Sequence, residues 1–138
     1  MKNILIEALL LLSIGAMAQC GDMTAQRTYL TGSSISSIEE TRALPADLNH
    51  YFSFCGGKMV ITITFTGEVY RREYSLYKID SRTEGYNCLK LEIVRYGCRE
   101  FPDMFFEVGF DQYGQIHTVL QWNTVAKAAN LYFSNRNA

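Results

Sequence analysis

The chain has 138 residues, a formal net charge of −1 and an aromatic content of 13%. That length accommodates one domain with its own core rather than two. Net charge alone names no partner, but the one adjacent basic pair, Arg71-Arg72, lies between Glu68 and Glu73, so nucleic acid is not an expected partner.

Residues 1–18 read as a cleaved secretory signal peptide. Lys2 supplies the positive end, residues 4–14 an apolar stretch interrupted by Glu7 and Ser13, and Ala16-Met17-Ala18 the small-x-small cleavage signal before Gln19. Cleavage removes one lysine and one glutamate, which leaves the net charge unchanged. Cys20 opens a lipid-anchored alternative, but Met17-Ala18-Gln19 lacks the small residue that a lipobox places immediately before its cysteine. Nothing after the leader reaches the roughly 18 apolar residues of a transmembrane helix. The expected location is therefore secreted, periplasmic or cell-surface.

Residues 19–43 are polar, with Gly32-Ser33-Ser34 and Ser36-Ser37 breaking any period, and read as a flexible arm with at most one short strand near Tyr29. The remainder, 44–138, reads as one antiparallel β domain. It opens with a short helix over about 46–54, because Leu44, Leu48, Tyr51 and Phe52 share a helical face, Pro45 sits near the first turn and Gly56-Gly57 provides a stop. Residues 59–66 alternate large apolar side chains at odd positions with threonine at most even ones, which is a half-buried strand.

A second strand over about 69–79 follows the turn-forming Gly67-Glu68, with Tyr70, Tyr74 and Leu76 on one face and Arg71, Glu73 and Ser75 on the other. A third, 89–96, sets Leu89, Leu91 and Ile93 against Lys90 and Glu92. A fourth places Met104, Phe106, Val108 and Phe110 opposite Glu107, Gly109 and Asp111. After the turn at 111–114, a fifth strand over 115–122 puts Ile116, Thr118, Leu120 and Trp122 on one face. Residues 124–134 fit a short helix through Ala126, Lys127, Ala128 and Ala129, or a closing strand through Leu131-Tyr132-Phe133.

The fold class is thus mainly β: a five- to six-stranded antiparallel meander, as a rolled sheet or partly closed barrel, with a short helix before it and a short helix or closing strand after it. An α+β open sheet covered by helices is the alternative. The order of leader, short helix, meander and closing element is similar in layout to the calycin group of secreted barrels, which includes the lipocalins. The Gly-x-Trp of a lipocalin first strand is missing, the single tryptophan being Trp122 near the far end.

Four cysteines in an exported small domain read as a disulfide framework. Cys88 and Cys98 at opposite ends of one strand would lie about 30 Å apart, beyond the roughly 5.5 Å of a bridge. In a meander Cys55 and Cys88 fall at the same end of the sheet, so Cys55–Cys88 with Cys20–Cys98 is the expected pairing. No C-x-x-C spacing or Cys/His cluster points to a metal, and no cofactor is implied.

Catalytic chemistry is thinly supplied. His50 on the expected helix and His117 on the fifth strand read as surface or boundary histidines rather than catalytic bases. Glu107 and Asp111 share a strand face at about 13 Å, outside the range of about 5–9.5 Å used by paired glycosidase carboxylates, and are expected to be solvated. Ser33-Ser34 and Ser36-Ser37 lack nucleophile context, and Gly56-Gly57 does not precede a helix as a phosphate loop would.

Aromatic content stands out, with nine tyrosines, eight phenylalanines and one tryptophan. Phe65, Phe106 and Phe110 have inward parity. Tyr70, Tyr77, Tyr96, Phe105 and Tyr113, with Arg71, Arg72 and Trp122, are the candidate contact residues, since exposed tyrosine offers broad area at little entropic cost. The expected function is a non-enzymatic binding or interaction domain that recognises a protein partner or a ligand in a shallow groove. A lipocalin-like carrier of a small apolar ligand, lined by Ile61, Ile63, Phe65, Leu91, Phe106 and Trp122, is the alternative, and a small hydrolase built on His50 or His117 the third reading.

Overall fold

The computed structural model describes residues 20–31, 38–43, 48–86, 88–126 and 128–134, so the signal peptide expected over 1–18 lies outside the described residues. The described elements are β1 (Cys20–Thr31), β2 (Ile38–Ala43), β3 (Leu48–Cys55), β4 (Lys58–Phe65), β5 (Glu68–Tyr86), β6 (Leu89–Cys98), β7 (Met104–Phe110), β8 (Ile116–Asn123) and β9 (Ala128–Ser134). Every pairing is antiparallel, and β9 returns to β1. With β2 lying only along the outer part of β1, the other eight strands close a barrel.

Two strands turn the corners. The first half of β5 pairs with β4 and its second half with β6, and β1 likewise passes from β3 to β9. Such strands join two sheets that would otherwise meet edge to edge. The β5 corner is tied by Leu76 N donating to Gly57 O at 2.7 Å and Arg99 N to Ser75 O at 2.9 Å. Just past it, a bulge at Ile79 shifts the register between Lys78 and Asp80. Strand side chains alternate with period two, so one extra residue transfers Asp80, Arg82 and Glu84 to the outer face.

Tight hairpins fix the β3–β4–β5 register. Cys55 opposes Lys58 across Gly56-Gly57, and both glycines have positive φ, 59° and 79°, as a two-residue turn with the right twist demands.

Among the described residues a single packed cluster occupies the interior. Met23, Phe52, Phe54, Met59, Tyr74, Tyr96, Phe106, Val108 and Phe110 belong to one buried cluster. Ring centroids lie 5.0 Å apart for Phe54–Tyr96 and Phe52–Tyr132, and 5.3 Å for Tyr74–Phe106. Eight strands enclose a space just wide enough for side chains to fill.

Several expectations require correction. Residues 48–55 form β3, not a helix: Leu48, His50, Phe52 and Phe54 alternate inward, and the polar His50 hid that period. The expected arm contributes β1 and β2. The tail takes its strand alternative, with Leu120 opposite Leu131 and Val119 opposite Tyr132. No helix occurs among the described residues, so the helix-covered open sheet is excluded.

The disulfide is Cys20–Cys55, joining residues directly opposed on β1 and β3, and Cys88 and Cys98 are free. Neither expected pair forms, because β1 lies beside β3 and the interior takes the Cys98 side chain.

Candidate functional site

The face of β5–β9 turned away from the barrel interior carries a second set of apolar side chains. Cross-strand register arranges them in rows. One row runs Arg82, Ile93, Gly109, Thr118, Phe133 and the next runs Asp80, Arg95, Glu107, Leu120, Leu131. Arg82, Ile93, Thr118 and Phe133 of the first row and Glu107, Leu120 and Leu131 of the second, with Glu84 and Leu91 at the hairpin end, line a pocket of about 220 Å³. Leu91, Ile93 and Leu120 are buried here although they do not point into the barrel.

Gly109 lies beneath the floor. A Cβ there would collide with Thr118 Oγ1 and press on Ile93 Cδ1 at 3.1 Å and Leu91 Cδ1 at 3.2 Å. Its absence lets those side chains close over the β7 backbone.

At one wall Arg82 joins two carboxylates. Its Nε donates to Glu84 Oε1 at 2.6 Å, and a terminal nitrogen donates to Glu107 Oε1. Those two hydrogen bonds, Glu107 first, raise the Arg82 pKa above its ordinary value, and burial opposes them. The Glu107 side chain is only 11% exposed, so the guanidinium neutralises a carboxylate that would otherwise be costly to hold there. Glu107 is therefore engaged, not solvated as expected.

A third row continues the same face: Tyr77, Gly97, Phe105, Trp122, Ala129. Tyr77 packs on Gly97, and the Arg99 guanidinium lies 5.2 Å from its ring centroid. Arg95 lies 5.0 Å from the centroid of Phe105. Tyr77, Phe105 and Trp122 are thus brought together next to the pocket.

The other candidates fall elsewhere. Tyr113 is an exposed turn residue, Arg71 pairs with Glu73 on the outside of β5, and Tyr70 and Arg72 stand at the far end of the barrel. Tyr96, expected outside, is 4% exposed in the core, where burial pushes its phenol up to about 12. Leu91 and Trp122, expected inside, belong to the outer face. A bulge between Ile116 and Thr118 separates Ile116, which points inward, from Thr118, Leu120 and Trp122, which do not.

Both histidines are buried. His117 Nε2 lies 2.8 Å from Asp111 Oδ2, and Asp111 Oδ1 accepts from the backbone N–H groups of Tyr113 and Gln115. This pair fastens the β7–β8 turn, and Asp111 is not solvated as expected. Burial raises the Asp111 pKa, but the His117 hydrogen bond and the two amides outweigh it and hold the carboxyl below its ordinary value. Burial lowers the His50 pKa.

These shifts set the sign of the pH dependence. A depressed histidine pKa contributes stability fully above its unfolded value of about 6.5, and that contribution declines as pH falls below it. Asp111 adds a second loss once pH drops below about 4. The urea midpoint is expected to hold from pH 8 to 7, fall as pH drops below about 6.5, and fall further once it drops below about 4. His50→Phe, which keeps the ring and removes the titration, should flatten the first decline. An unchanged slope in that variant would refute the assignment.

Among the described residues no group of three or more His, Cys, Asp or Glu side chains could hold a metal, and no helix is long and apolar enough to cross a membrane. The chain matches no family model, and comparisons with curated proteins and with solved structures found no match.

Proposed function

We propose that this protein is an exported binding module that takes a small amphipathic ligand in the pocket on the outer face of β5–β9. One observation carries the reading: a pocket floored by Leu91, Ile93, Leu120, Leu131 and Phe133 has a charged wall of Arg82, Glu84 and Glu107. An apolar floor with a few convergent polar groups is the usual form of a small-molecule site. The closed barrel is compatible with a lipocalin-like carrier as well, but the side chains packed inside it among the described residues support the outer face as the site. The intramolecular disulfide is consistent with an extracellular location.

The pocket's size and charge narrow the ligand. At about 220 Å³ it is smaller than the pockets of roughly 300–1,000 Å³ that hold drug-sized compounds. A single ring or short chain fits that volume. Arg82 already donates to both glutamates, and one guanidinium with two carboxylates leaves a net charge of −1. The polar end of the ligand is therefore cationic or a hydrogen-bond donor.

Cyclohexylamine provides the test. Added to the labelled protein, it is expected to cause saturable amide shifts centred on Leu91, Ile93, Thr118, Leu120 and Leu131. Leu120→Trp, which fills the pocket, should weaken binding at least about tenfold, or about 1.4 kcal/mol. Shifts spread evenly over the surface, or unchanged affinity in Leu120→Trp, would remove the pocket from the proposal.

A further inference from the structure

The barrel opens at the end marked by the β4–β5 turn. Along the inward positions of β4, exposure grows from 0% at Met59 and 4% at Ile61, through the half-buried Ile63, to 39% at Phe65. On β5 it rises from 5% at Tyr74 to 53% at Tyr70. Two inward-facing rows cross this mouth: Phe52, Ile61, Arg72 and then His50, Ile63, Tyr70.

Two polar groups in these rows lack partners. His50 is 9% exposed, and its Nδ1 is buried with no hydrogen bond. Leaving a buried polar atom unpaired costs about 1–3 kcal/mol, so an orphan of this kind calls for an explanation. Arg72 has no hydrogen bond or ion pair among the described residues. By contrast, Arg71 and Arg82 hold carboxylates, and Arg95 and Arg99 lie over aromatic rings.

Tyr132 connects the two from β9. Its ring centroid is 5.0 Å from that of His50, and Arg72 is near enough for its charge to oppose the upward shift that burial gives the Tyr132 phenol. On β5 itself, Glu68 accepts the Tyr70 hydroxyl and is four residues from Arg72, about 13 Å along the strand. Among the described residues the mouth thus holds a cation without an ion pair and a buried imidazole nitrogen without a hydrogen bond, both neighbours of the Tyr132 ring.

We propose that the open end of the barrel binds a small ligand with an anionic head and a flat apolar body, Arg72 pairing with the charge and His50 Nδ1–H donating to it while Tyr70 and Tyr132 flank the body. A guanidinium is the side chain best suited to a planar carboxylate. This site is independent of the outer-face pocket and prefers the opposite charge.

Benzoate is the probe, and the imidazole resonances of His50 are the readout, with His117 as an internal control because Asp111 already engages it. At constant ionic strength, millimolar benzoate is expected to raise the His50 titration midpoint by about one pH unit, since a nearby anion favours the charged ring. His117 should not move, cyclohexylamine should not reproduce the effect, and Arg72→Gln, an exposed substitution, should abolish it. An unmoved His50, an equal shift with cyclohexylamine or an equal response in Arg72→Gln would overturn the proposal.

Discussion

Replacing Phe106 by alanine is expected to cost about 3–5 kcal/mol of unfolding free energy, whereas Phe105→Ala should cost about 1 kcal/mol. The residues are neighbours on β7 and differ in the face they occupy. Phe106 is 0% exposed and meets Tyr74 with ring centroids 5.3 Å apart, so truncation leaves a cavity between rings from several strands that cannot all collapse into it. Phe105 is half-buried on the outer face and loses its contact with Arg95. Against a total stability of about 5–15 kcal/mol, the Phe106 variant approaches the unfolding threshold. Urea unfolding followed by Trp122 fluorescence would measure both variants, and equal losses would mean that the interior does not rely on this face of β7.

That contrast also explains which parts of the fold can be read from the sequence. β4 and β7 present large apolar residues to the interior at every second position, so their period of two is visible along the chain. β6 and β8 bury residues on both faces. Leu91 and Ile93 face outward, while Val94, Tyr96 and Cys98 face inward, so the apolar positions pass from odd to even at Ile93-Val94 and no single parity marks the interior. In β3 the inward series contains His50, and Leu48, Tyr51 and Phe52 happen also to match a helical face. In β1 the inward residues include Gly21 and Ala25, too small to display a period. β9 contains alanines that favour a helix in isolation, but pairing with both β8 and β1 overrides that preference.

The outer-face pocket follows from register that spacing alone does not reveal. Arg82 has strand neighbours but no motif. Only the bulge at Ile79 turns it outward, where Ile93 opposes it and Glu107 lies within reach. Glu107 drew notice only as half of a carboxylate pair with Asp111. The structure gives each acid its own partner, the Arg82 guanidinium for Glu107 and the His117 imidazole for Asp111. Tyr77, Phe105 and Trp122 were identifiable individually as aromatic residues, but their union in one row depends on three successive strand registers.

Replacing Cys20 and Cys55 together by serine is expected to lower stability by about 4 kcal/mol, the chain-entropy value for a loop of this length. The bridge spans a sequence separation of 35 and joins the start of β1 to the end of β3. Because β1 also pairs with β9, loosening its first half weakens the seam that closes the ring. Denaturation with and without reductant measures the effect, and a non-reducing peptide map fixes its origin. A peptide linking Cys20 to Cys55 is expected, with Cys88 alkylated promptly at the surface. Cys98, buried and with its thiol pKa pushed up by that burial, should react only on unfolding. The same linked peptide would exclude acylation of Cys20, since one sulfur cannot form both a thioether and a disulfide. A Cys55–Cys88 link would instead require β1 to leave β3, and the barrel could not close as described.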